Sequence, residues 1–119
     1  MAGIMDMAKD LGSALARTDE YQALRRAAQA ADDDRDITEL RNVLEGLEGR
    51  IATALRAGHE PEPEVAQQYE DAVSRLQANS TYQRLVAAQT NFDKIVQRVN
   101  DTIAKGLEEG AQSRIILSS

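Results

Sequence analysis

Residues 81–108 read TYQRLVAAQTNFDKIVQRVNDTIAKGLE, and their seam positions recur at steps of three and four: Tyr82, Leu85, Gln89, Phe92, Val96, Val99 and Ile103, then Gly106. Such a seam predicts one amphipathic helix of about 40 Å at 1.5 Å per residue. A compact chain of this length has a radius of gyration of only about 13–14 Å. The helix outreaches a compact ball, so an elongated fold is expected. Gln89 is the polar exception in the seam. Either it is buried and fixes register or partner choice, or it points sideways into water.

A second long seam runs through Ile37, Leu40, Leu44, Leu47, Ile51 and Ala54, within a helix expected over 35–57. Gly46 and Gly49 lie off that seam. Each weakens a helix interior by about 1 kcal/mol relative to Ala unless close packing requires it. Shorter amphipathic helices are expected over 4–16 (Ile4, Met7, Ala8, Leu11 and Leu15 on one face), 19–31 (Tyr21, Leu24, Ala27, Ala28 and Ala31) and 63–78 (Val65, Tyr69, Ala72, Val73 and Leu76). Gly58 suits the position just past a helix end, and Pro63 the first turn of the next helix. Alternation of strand type never persists. The expected class is all-α, with about five helices. The two long amphipathic helices form an elongated antiparallel hairpin or bundle, completed by oligomerisation. One domain is expected over 1–110, followed by a flexible tail over 111–119.

Composition supports the need for a partner. Leu, Ile, Val and Phe together number 25 of 119 residues, whereas Ala alone numbers 19. Alanine favours helix but buries little. The net charge of −6 repels phosphate backbones, so no direct nucleic-acid contact is expected. Tyr21, Tyr69, Tyr82 and Phe92 fall on apolar helical faces and read as packing residues rather than base-stacking platforms. Asp6, Lys9 and Asp10 break any signal-peptide core, and no uncharged apolar run approaches a membrane span, so a cytoplasmic protein without membrane insertion is expected.

Catalytic equipment is sparse. There is no cysteine, hence no thiolate nucleophile and no cysteine-ligated metal. The single histidine, His59, sits in a Gly/Pro/Glu loop. No Glu-x-x-His pair, His-Glu-x-x-His helix or phosphate loop occurs. Asp32-Asp33-Asp34 reads as a helix-start cap, since it lacks the spacing of a calcium loop. The carboxylates Glu60, Glu62 and Glu64 read as a charged helix start. No enzyme activity and no cofactor are expected.

One phrase recurs. Thr18-Asp19-Glu20-Tyr21-Gln22-Ala23-Leu24 and Ser80-Thr81-Tyr82-Gln83-Arg84-Leu85 each place a capping hydroxyl before Tyr-Gln-x-Leu. These phrases follow 6–15, Asp-Met-Ala-Lys-Asp-Leu-Gly-Ser-Ala-Leu, and precede Phe92 and Val99-Asn100-Asp101-Thr102-Ile103. In that order the pieces resemble the YlbF/YmcA family of small helical bacterial regulators over nearly the full length. The resemblance implies a non-catalytic adaptor that dimerises or joins related helical paralogues. It also implies a role in competence, biofilm formation and sporulation, through a complex that modulates an endoribonuclease and mRNA maturation. Some members carry iron–sulfur clusters through cysteines, a route closed to this chain. The alternative is a self-assembling structural homo-oligomer without a regulatory client. The candidate interface residues are Tyr21, Leu24, Leu40, Leu44, Leu47, Ile51, Tyr82, Leu85, Gln89, Phe92, Val96, Val99 and Ile103.

Overall fold

The computed structural model describes residues 3–118, with side chains to Gln112. Five helices follow one another: α1 (Ile4–Ala16), α2 (Asp19–Asp33), α3 (Arg35–Arg56), α4 (Pro63–Ala78) and α5 (Ser80–Ser118). The described residues form no strand. The radius of gyration is 22.0 Å and the extents are 69 × 37 × 22 Å, so the chain is elongated as its longest seam requires.

The pairing of helices differs in one respect from a single hairpin of the long helices. α3 packs along α4, and α5 packs along α2. Each long helix thus pairs with a shorter one, and the two pairs join at a corner. Chain connectivity explains this. A single residue, Asp34, links α2 to α3, and a single residue, Asn79, links α4 to α5. Both have extended backbone angles, which turn the chain sharply between helices. At the corner Ala31, Ile37, Leu40, Ala72 and Leu76 are buried together, with Leu44, Tyr82 and Leu85 packed against them. The same sequence spacing separates Ala31 from Leu76, Asp34 from Asn79, Ile37 from Tyr82 and Leu40 from Leu85. The corner is therefore built twice from one helix–turn–helix pattern.

The caps account for the helix boundaries. Thr18 Oγ1 accepts from the Tyr21 N–H at 3.1 Å, and Asp34 Oδ1 from the Ile37 N–H at 3.0 Å. At α5 the cap is Asn79, whose Oδ1 accepts from the Tyr82 N–H at 2.9 Å, rather than Ser80 or Thr81. The cap stands three residues before Tyr at both repeated phrases. The repeated Gln has one job as well. Gln22 Nε2 donates to the Ala16 carbonyl at 2.8 Å and Gln83 Nε2 to the Gln77 carbonyl at 2.9 Å, each tying a new helix to the end of the last. Helix α3 ends with paired bonds, Gly58 N–H to Leu55 O and His59 N–H to Ala54 O, closed by Gly58 at φ 78°. Pro63 occupies the first turn of α4.

Helix α5 extends ten residues past the expected end at 108, reaching Ser118. The expected tail falls partly outside the described residues: the backbone of 111–118 continues α5, and Ser119 is not described.

Candidate interaction surface

Six of the residues expected to form an interface pack within this chain: Leu40, Leu44, Tyr82 and Leu85 at the corner, and Tyr21 against Phe92. Leu40 and Leu47 are buried. Tyr21, Leu24, Leu44, Ile51, Tyr82, Leu85, Phe92, Val96 and Val99 are half-buried, and Gln89 and Ile103 are exposed. The Tyr21 and Phe92 rings pack across the α2–α5 pair with centroids 5.2 Å apart and planes tilted by 58°. Gln89 points sideways into water, its Nε2 donating to Asp93 Oδ1 at 2.8 Å, and Ala88 takes the buried place beside it. Tyr69 reaches from α4 to α3, its hydroxyl donating to Glu48 Oε1 at 3.3 Å.

A different set of apolar side chains is left uncovered. On α1, Ile4 is 79% exposed and Met7 60%, with Met5 and Leu11 exposed beside them. On α5, every side chain from Asn100 to Gln112 is exposed, including Ile103 and Leu107, the latter at 71%. The two patches meet. A groove of about 440 Å³ between them is lined by Leu11, Ile95, Arg98, Val99, Thr102 and Ile103. The cause is a mismatch in length. Helix α2 has 15 residues against the 39 of α5, so α5 projects beyond its partner as a single unsupported helix. The α1 stripe was legible as an apolar face. That no element of the chain covers it was not, because periodicity does not say which faces meet.

The polar groups are occupied locally. In the Asp32-Asp33-Asp34 run, Asp32 pairs with Arg41 at 3.6 Å, Asp33 accepts from Gln29 Nε2 at 3.2 Å, and Asp34 caps α3. The Ile37 N–H holds the Asp34 carboxyl below its usual range. Desolvation opposes this, and Asn79, the Asp36 N–H and Thr81 add to it. Among the described residues no three His, Cys, Asp or Glu side chains converge as metal ligands, and no helix is long and apolar enough to cross a membrane. What the arrangement offers chemically is contact area: apolar side chains on two helices, with charges along their edges.

Comparison with known proteins agrees with this architecture. A family model described as "Control of competence regulator ComK, YlbF/YmcA" matches residues 4–108. A UPF0342 protein of Staphylococcus saprophyticus is 26% identical over 106 residues, covering 89% of this chain and 93% of the relative. A UPF0342 protein of Lactobacillus acidophilus is 24% identical over 109 residues, covering 92% and 94%. A chain in the crystal structure of Bacillus subtilis RicA in complex with RicF superposes with a TM-score of 0.80 at 12% identity, covering 91% of this chain and 96% of that one. That likeness shows a shared fold.

Proposed function

Because the chain belongs to the YlbF/YmcA family of competence regulators, we propose that it is a non-catalytic regulatory adaptor, working in the cytoplasm through contacts with related helical chains. The observation that carries this reading is the uncovered apolar face on α1 and distal α5. Contiguous apolar patches of this kind, rimmed by charge, mark interaction sites. The structural neighbour was itself solved as RicA bound to RicF, which supports a paralogue as the partner. As the family resemblance implies, the resulting complex acts on an endoribonuclease and so on mRNA maturation. The acidic surface favours a protein intermediary in that process over direct contact with RNA.

The test is a tagged chain recovered from its native host, with mass spectrometry of whatever remains bound. Retention of a related helical protein near equimolar ratio, and its loss from Met7→Asp, supports the reading. Recovery of the bait alone contradicts it and leaves a self-assembling scaffold.

A further inference from the structure

The chain is acidic, yet one stretch of its surface is not. Residues 21–31 of α2 and 80–92 of α5 carry Arg25, Arg26 and Arg84 and no Asp or Glu, in a chain with 20 acidic and 14 basic residues. These two segments lie against each other. Tyr21, near the start of α2, meets Phe92, while Ala30, near its end, shares a groove with Thr81 at the start of α5, so the helices run antiparallel. That groove has a volume of about 330 Å³, with Ala23, Ala27, Ala30 and Ala88 along it and Arg26 and Arg84 supplied by its two helices. Both arginines are exposed. The positions three and four residues either side of each hold only Gln, Ala, Ser or Thr, so neither has a carboxylate within its own helix. Neither pairs with one across helices among the described residues, where the ion pair present is Arg41 with Asp32. Two guanidinium groups facing one groove repel each other, and arginine cannot shed its charge.

We propose that this groove takes an acidic helix of a client protein, with two carboxylates about one turn apart answering Arg26 and Arg84. Resting on the adaptor reading, this names the chemistry of a client and a surface separate from the apolar face of α1 and distal α5. Charge selects the occupant. Carboxylates complete the short, bidentate hydrogen bonds that guanidinium groups form best, and they relieve the repulsion between the two arginines. Shape selects a helix. From Ala23 to Ala30 the groove runs straight for about 10 Å, or two helical turns at 1.5 Å per residue. Its alanine side chains let a third helix approach both rods at the ordinary interaxial distance of about 8–10 Å. A nucleic acid fits less well, because its phosphates continue past the groove onto the rest of the chain, which is more acidic than the whole.

The probes are short fluorescein-labelled helical peptides based on alanine, one with paired glutamates a turn apart and one with glutamines in their place, read by fluorescence anisotropy at low salt. The glutamate peptide binds the full chain with a Kd below about 1 mM, and the glutamine peptide binds at least about tenfold more weakly. Arg26→Glu and Arg84→Glu each weaken the glutamate peptide at least about tenfold, with circular dichroism unchanged because both side chains are exposed. Arg25→Glu makes the same charge change on the same helix but off the groove, and weakens it far less. A peptide with lysines at the paired positions binds the Arg26→Glu/Arg84→Glu double variant and not the wild type. Equal binding of the glutamate and glutamine peptides overturns the proposal, as does an Arg25→Glu loss as large as that of Arg84→Glu, or no binding of the glutamate peptide up to about 1 mM. A short single-stranded RNA that binds more tightly than the glutamate peptide overturns it in favour of nucleic acid. A wild-type oligomer that Arg84→Glu dissociates, read by light scattering, overturns it in favour of a second copy. A chain that binds no acidic peptide but retains a related protein from the host lysate, lost on Met7→Asp, overturns the groove and leaves the adaptor reading standing.

Discussion

Ile37→Ala is the sharpest test of where this thin fold is held together. Ile37 is 0% exposed and is the largest fully buried side chain among the described residues. It sits at the first turn of α3, where its N–H is capped by Asp34, and it joins Ala31, Leu40, Ala72 and Leu76 in the corner cluster. Truncation removes three carbons at about 0.8 kcal/mol each. A further penalty arises because two one-residue turns keep the corner from collapsing into the space. The expected loss is about 3–4 kcal/mol. For a chain of this size 1 kcal/mol shifts the midpoint by about 4 °C, so the Tm falls by roughly 12–16 °C. The control is Leu55→Ala, where the side chain is 62% exposed at the end of α3 and less than about 1 kcal/mol is expected. Thermal melts by circular dichroism at low micromolar concentration read both. An Ile37→Ala shift no larger than that of Leu55→Ala refutes the assignment of the corner as the core.

Asp34→Asn keeps a good cap but removes a carboxylate whose folded pKa is depressed below its ordinary 3.8. The stability from that charge is fully present above the ordinary value and is lost as pH falls through the folded one. The variant therefore shows a smaller fall in urea midpoint between pH 6 and pH 3 than wild type, and an equal fall contradicts the shift. Gly58→Ala and Gly46→Ala have opposite signs. The first forces Ala into φ 78° and destabilises by about 1 kcal/mol. The second fills open space within a helix and stabilises by about 0.5–1 kcal/mol, both read from urea midpoints. Asn79→Ala removes the α5 cap and costs about 1 kcal/mol, with no such loss for Ser80→Ala.

The five helices were legible because their seams step by three and four and their ends carry Thr18, Asp34, Gly58 and Pro63. The corner was not. Asp34 and Asn79 each serve as the end of one helix and the cap of the next, and sequence spacing shows a cap but not a sharp turn. That turn sends α3 along α4 and α5 along α2, so Leu40, Leu47 and Phe92 were spent on intramolecular packing. The uncovered face carries Ile4, Met7, Ile103 and Leu107, of which Ile4 and Met7 were legible as an apolar stripe and Ile103 was among the expected interface residues. Seam strength identifies a buried stripe. Whether the cover comes from the same chain depends on the relative lengths of α2 and α5, which only the assembled fold displays.

The most direct measurement is hydrogen exchange on the chain alone and on the complex recovered from its native host. In the free chain, amides of 4–16 and 100–112 exchange fast, since few packed side chains protect them, while 35–40 and 72–76 exchange slowly. In the complex, protection rises in 4–16 and 100–112 and stays unchanged at the corner. Protection gained only elsewhere, or equal protection in both states, contradicts the account that this apolar face is where the protein meets its partners.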